Sequence, residues 1–180
     1  VWAATMPIQS RRINVIIQAV IISDRSFPGA VFYYFFRRIF DKRQGVMKTY
    51  ISISYRRGKE MRQELETISS VLQSHGIIPF IFIDQFKFTA VQEKEMMQQA
   101  MLSIDECDLL IAETTDKAIG VGIEAGYAKA KGKKVIYLRK KNAEHSTTLS
   151  GISDFQIVYE GLADLKRQMV KMISKFENAE

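Results

Sequence analysis

From position 49 onward the chain alternates between two hydrophobic periods, and this alternation constrains its fold more than any other feature. Five short runs, 49–55, 77–83, 108–112, 134–138 and 155–159, are β-branched or apolar and of strand length. The stretches between them carry apolar residues every three or four positions, the period of a helix with one buried stripe. In 59–75 the stripe is Met61, Leu65, Ile68 and Leu72, and Gly76 follows as a stop signal. In 91–104 the expected stripe is Met97, Met101 and Ile104. A third helix is expected over 121–131, closed by Gly132, and a last one along Leu162, Leu165, Met169, Ile173 and Phe176.

Strands that alternate with helices must run parallel, because each helix carries the chain back to the starting edge of the sheet. Right-handed crossovers then leave few arrangements. The expectation is an α/β fold: a five-stranded parallel sheet in the order 2-1-3-4-5, a flavodoxin-like or Rossmann-like three-layer sandwich. Such sheets bind ligands at the carboxyl ends of their strands, where the order reverses. That directs attention to the loops 56–59, 113–122 and 139–151.

The 180 residues are 47% hydrophobic and 26% charged, which excludes a largely disordered chain. The single Cys excludes a disulfide framework and a cysteine zinc site, and fits a reducing cytoplasm. Two His without a cysteine cluster leave no metal site to expect, and no cofactor is expected either. The net charge of +6 is unevenly spread. Residues 1–46 hold seven Arg or Lys and two Asp, or +5, and the remaining residues hold 19 basic and 18 acidic, or +1. A near-neutral domain carries no phosphate-backbone footprint, so nucleic acid is not an expected partner.

The division therefore reads as an N-terminal extension over 1–46 and a domain over 47–180. The apolar runs 13–22 and 31–36 fall short of the roughly 20 residues that span a bilayer. Membrane attachment is not the expectation. The extension is compatible with a signal or anchor, with a membrane- or partner-binding arm, or with upstream sequence translated ahead of a natural start at Met47.

The stretch 112–128 is the most informative. Gly120 and Gly122 allow a ligand to approach the backbone, and the helix amides that follow favour an anion or a polar ring substituent. Glu124 is expected in the first turn of that helix, at the ligand edge. The helix dipole alone also favours a glutamate there. The stretch is no Walker loop, since no Gly-Lys-Ser/Thr follows, and no dinucleotide fingerprint follows the first strand.

Four segments carry a resemblance: Tyr50-Ile-Ser-Ile-Ser-Tyr-Arg-Arg-Gly58, Cys107-Asp-Leu-Leu-Ile-Ala-Glu113, Gly120-Val-Gly-Ile-Glu-Ala-Gly-Tyr-Ala128 and Ser146-Thr-Thr-Leu-Ser-Gly-Ile152. In this order they resemble the nucleoside 2-deoxyribosyltransferase superfamily, and most of all its 2′-deoxynucleoside 5′-phosphate N-hydrolase branch. The resemblance implies cleavage of the bond between a base and a deoxyribose in a nucleotide or nucleoside substrate. It implies Glu124 as the carboxylate acting at the anomeric carbon, which suits covalent glycosyl transfer. It also implies Tyr50 near the sugar and that carboxylate, and Ser54 and Arg56 at a 5′-phosphate. An arginine fork suits phosphate oxygens. Ser150 matches a phosphate-contacting serine that can come from the neighbouring subunit, which implies a homodimer.

Two positions depart from the pattern. Where the family carries an Asp eight residues before the strand-three Asp, this chain has Ala100, and a phosphate-side serine is Ala118. Asp84, Glu113 and Asp116 are candidate substitutes for the missing acid. Glu95 is not, because five residues turn a helix by about 140°. The expected function is hydrolysis of a (2′-deoxy)nucleoside 5′-monophosphate. The alternatives are base exchange, another N-glycoside, or nucleotide binding without catalysis. The remaining polar residues have plain readings: Ser52 as sheet filler, Arg57 as solvated, His75 at a helix C-terminus, and Cys107 as inert core. His145 on a ligand-edge loop is a candidate acid. The basic residues Lys131, Lys133, Lys134, Arg139, Lys140 and Lys141 are solvated turns, with phosphate steering as the functional option.

Overall fold

A computed structural model of the chain describes residues 45–58 and 60–177. The extension up to residue 44, Lys59 at the expected helix start, residues 178–180 and the side chains of Arg57, Phe176 and Glu177 lie outside the described residues, and with them the reading of Arg57 as solvated. From Val46 on, the described residues belong to one compact unit, Val46–Glu180.

Its elements are β1 (Lys48–Ser52), α1 (Arg62–Ser74), β2 (Ile78–Ile81), α2 (Phe82–Gln85), α3 (Glu93–Asp105), β3 (Leu109–Glu113), α4 (Ile119–Ala130), β4 (Lys134–Lys140), α5 (Thr147–Ile152), β5 (Phe155–Tyr159) and α6 (Leu162–Glu177). The five strands form one sheet in the order β2-β1-β3-β4-β5, and every pair is parallel. The expected α/β architecture and strand order therefore hold.

Alternation along each strand sends side chains to two different layers. One face carries Ile51, Ile53, Leu109, Ile111, Ile136 and Leu138, which pack on Leu65, Ile68 and Leu72 of α1 and on Leu165, Met169 and Ile173 of α6. The opposite face carries Tyr50, Leu110, Ala112, Val135 and Tyr137, covered by Ala100 and Ile104 of α3 and by Val121, Ala125 and Ala128 of α4. Central β3 is buried along its whole length, as a strand covered on both faces must be. Gly76 and Gly132 take positive φ of 71° and 72° just past α1 and α4. Their left-handed backbone lets Ile77 N reach Leu72 O and Lys133 N reach Ala128 O, each at 3.0 Å.

Four details differ from the sequence reading. The first strand stops at Ser52, and the chain enters a short 3-10 turn at Tyr55–Arg57. The run 77–83 is strand only over Ile78–Ile81, after which α2 turns Phe82 into the α3–α4 layer. The buried side of α3 is Ala100, Ser103 and Ile104 with Met96 against the core, rotated away from the Met97–Met101 stripe. Small residues let this helix sit close to the sheet, and polar Ser103 conceals the stripe in the sequence. The loop 139–151 contains α5, whose N-cap Ser146 accepts a hydrogen bond from Leu149 N at 3.4 Å. Its six residues are too few for a periodic signal.

Candidate active site

Tyr50, Ser52 and Ser54 share a face of β1 and of its continuation, since side chains two apart point the same way. All three are buried. That face is covered by α4, which carries Glu124. The Tyr50 hydroxyl donates to Glu124 Oε1 at 3.1 Å, and Ser52 Oγ donates to Oε2 in a short hydrogen bond. Each carboxylate oxygen thus has its own donor from the neighbouring strand. Burial pushes the Glu124 carboxyl above its usual range, and the bonds from Ser52 and Tyr50 counter that rise. Burial and then the nearby Glu124 charge push the Tyr50 hydroxyl far up, so it stays a neutral donor.

Glu124 is not in the first turn. The helix starts at Ile119, after an extended Ala118, and Glu124 is its sixth residue. A dipole preference, which fades within one turn, does not account for it. What holds it is the pair of donors on β1. Gly120 and Gly122 occupy the first turn instead, and a Cβ at either would meet no atom within 4 Å. They leave that turn bare, and packing does not require them.

Further along the same edge, Ser54 Oγ donates to Asp116 Oδ2 at 2.9 Å, in the loop between β3 and α4. Arg56 follows in the exposed 3-10 turn. Ser150 lies on α5, where its hydroxyl accepts from Gln156 Nε2 at 2.8 Å. The structure thus joins Tyr50 and Glu124 directly and places Ser54 and Arg56 along the same strand edge.

The three candidate substitute acids have different surroundings. Glu113 shares its sheet face with Ile111 and Leu109, turned away from Glu124, and Tyr159 reaches it from that side at 3.5 Å. Asp84 is engaged by both terminal nitrogens of Arg62, at 2.8 and 2.9 Å. Asp116 alone stands at the edge where Ser54 ends. Ala100 is buried in the apolar cluster with Tyr50 and Phe82, so hydrocarbon fills that position.

Ser52, which reads as filler, is one of the two residues that grip Glu124. Its parity with Tyr50 is the only signal the sequence offers. A ring cluster also goes unread: Tyr50 lies 6.1 Å from Phe82, and Phe82 lies 5.3 Å from Phe86 and 6.0 Å from Phe88. This wall continues from the residue that holds Glu124, and flat apolar faces suit stacking. The basic residues named for phosphate steering have partners within the chain. Lys131 pairs with Asp105 and Lys134 with Asp154, both near the C-terminal end of α4 and so away from the ligand edge. Lys140 and Lys141 pair with Glu64 and Glu160, and Arg139 donates to three carbonyls. Burial pushes the Cys107 thiol up to about 12, which keeps it unreactive. The His75 ring nitrogen lies 3.0 Å from Val71 O at the end of α1, as a helix-terminal histidine does. Among the described residues no helix is long and apolar enough to cross a membrane.

The site is thus a half-buried carboxylate with a donor on each oxygen and a bare helix turn in the same helix. The model of the family described as nucleoside 2-deoxyribosyltransferase matches residues 50–175. Among solved structures, the CMP N-glycosidase of Clostridium botulinum is 23% identical with a TM-score of 0.50, over 68% of this chain and 97% of that one. A 2-deoxyribosyltransferase from Bacillus psychrosaccharolyticus is 15% identical with a TM-score of 0.53, over 66% and 90%. A conserved protein from Enterococcus faecalis V583 is 16% identical with a TM-score of 0.53, over 68% and 99%. These likenesses establish the shared fold. A search of curated proteins returned no significant match. The family match spans the strand edge, the glycine-bearing helix turn and Glu124 alike, and the chain belongs to the nucleoside 2-deoxyribosyltransferase family.

Proposed function

We propose that this protein cleaves the N-glycosidic bond of a (2′-deoxy)nucleoside 5′-monophosphate, with Glu124 as the nucleophile. The observation that carries the reading is the double grip of Tyr50 and Ser52 on Glu124, one donor per oxygen. Such a carboxylate is oriented before substrate arrives, which is where much of an enzyme's advantage comes from. One Glu124 oxygen bonds to the anomeric carbon as the carbon–nitrogen bond breaks, and that electron pair leaves with the base, which takes a proton from solvent. Water then adds to the anomeric carbon, its proton is released, and the carboxylate leaves as sugar phosphate forms. Exposed Arg56, beside Ser54 at the strand end, is the group for the phosphate. With Ala100 in apolar packing, no acid at that position assists the departing base.

A second reading, base exchange between free nucleosides, is favoured by the bond from Ser54 to Asp116, which sets a carboxylate at the phosphate end. The proposal includes a homodimer, in which the Ser150 that meets the phosphate comes from the neighbouring chain. A cytoplasmic location belongs to the same reading and agrees with a buried free thiol.

The test is chromatographic detection of free base from deoxy- and ribonucleoside monophosphates and from nucleosides, beside Glu124→Ala. Release from a monophosphate that vanishes in the variant supports the proposal. Release that persists in Glu124→Ala overturns it. Binding of monophosphates with no release would make the protein a nucleotide receptor.

A further inference from the structure

The site restricts which way a substrate can lie. Its anomeric carbon has to meet Glu124, over Tyr50 and Ser52. Two different surfaces extend from that point. One is formed by the half-buried rings of Phe86 and Phe88, which pack on buried Phe82 beside Tyr50. The other is the polar strand end with Ser54, Asp116 and Arg56. A planar base suits the first, so the 5′ end of the sugar points to the second.

At that end the Ser54 hydroxyl, which is 3% exposed, spends its proton on Asp116. Asp116 forms no ion pair among the described residues. The adjacent cation, Lys117, is paired with Glu144 at 2.5 Å. The Asp116 charge is therefore not cancelled locally, and it stands where the 5′ substituent arrives. A neutral 5′-hydroxyl can donate to this carboxylate. A dianionic phosphate meets a like charge and a serine whose hydroxyl is already committed.

We propose that Asp116 is a specificity-determining residue that sets the balance between free nucleosides and nucleoside 5′-monophosphates. This rests on Glu124 as the centre of the reaction. Arg56 draws the phosphate in, and Asp116 with Ser54 opposes it. Removing the charge frees Ser54 to donate to phosphate and leaves Arg56 unopposed.

The experiment compares kcat/KM for a deoxynucleoside and its 5′-monophosphate in the full chain, Asp116→Asn, Asp116→Ser and Asp116→Glu. The ratio of monophosphate to nucleoside should rise at least about tenfold in both neutral variants and stay near the starting value in Asp116→Glu. A merely structural role would lower both substrates together and leave the ratio unchanged, and that result overturns the proposal. A ratio that rises equally in Asp116→Glu overturns it too, because the charge would not be the cause. If no substrate is turned over, the Glu124 reading fails by itself. The ratio of dissociation constants for the same two compounds, measured by calorimetry, then decides the role of Asp116.

Discussion

Replacing Glu113 with Gln should stabilise the protein at pH 8 and change little near pH 4. Glu113 is 1% exposed at the end of β3, on the sheet face turned away from Glu124. Thr115 serves it twice, with its amide at 3.2 Å and with its hydroxyl in a short bond, and Tyr159 approaches at 3.5 Å. Burial is the dominant influence and pushes the carboxyl from 4.5 up to about 7, against the pull of the Thr115 bonds and of Lys140; Glu64 adds to the rise. Lys140 is itself held by Glu64 at 2.6 Å, which limits what it does for Glu113. A carboxyl raised in the folded state binds its proton more tightly there than in the unfolded chain. Its contribution is fully present below about 4.5 and is lost as pH rises through about 7. The gap between the two values corresponds to roughly 3 kcal/mol, at about 1.4 kcal/mol per tenfold. That is a large share of a typical total of about 5–15 kcal/mol. Gln keeps an oxygen for Thr115 and carries no charge, so the variant should escape the loss. Urea denaturation of both proteins between pH 4 and pH 8 reads this out. The advantage of Glu113→Gln should grow across that window towards about 3 kcal/mol. A difference that is flat with pH, or that favours the native residue at pH 8, would refute the reasoning.

Other expectations follow from the same geometry. Ser52→Ala removes one of the two donors that hold the Glu124 carboxylate down against burial, so the acid limb of the base-release profile should move to higher pH and the rate at neutral pH should fall; an unmoved limb would separate Ser52 from Glu124. Ala100→Asp puts an unpaired acid into the cluster with Tyr50 and Phe82, and should cost about 3 kcal/mol or more by chemical denaturation, with loss of near-ultraviolet signal from the rings. Leu110→Ala, in the fully buried central strand, should cost about 2–5 kcal/mol, and a cost below about 1 kcal/mol would contradict the packing described.

Much of the fold is legible in the sequence because alternation and helical period are local. The stripe Met61–Leu65–Ile68–Leu72 and the stop at Gly76 predict α1 to within a turn, and the structure buries those four residues. The strand order follows from handedness and connection length, which leave little choice. Glu124 and Tyr50 stand out through motif resemblance, and the bond between them brings the two together. Elements fail where the local signal is short or mixed. α5 has six residues, α2 takes over the end of an apolar run, and Ser103 disguises the buried face of α3.

What the chain determines by itself is therefore the periodic frame: five parallel strands, helices on both faces, and a glycine-marked turn leading to a glutamate. Only the tertiary structure decides what surrounds that glutamate. Ser52 and Glu124 are 72 positions apart, and Ser54 and Asp116 are 62. No local pattern encodes such pairs, because they form only when β1 is laid beside β3 and α4 crosses their shared face. The same step sends Glu113 and Glu124 to opposite sides of the sheet, since strand alternation fixes one and helix rotation the other. Two glutamates that read alike along the chain thereby end in different surroundings, Glu113 beside Thr115 and Tyr159 and Glu124 beside Tyr50 and Ser52.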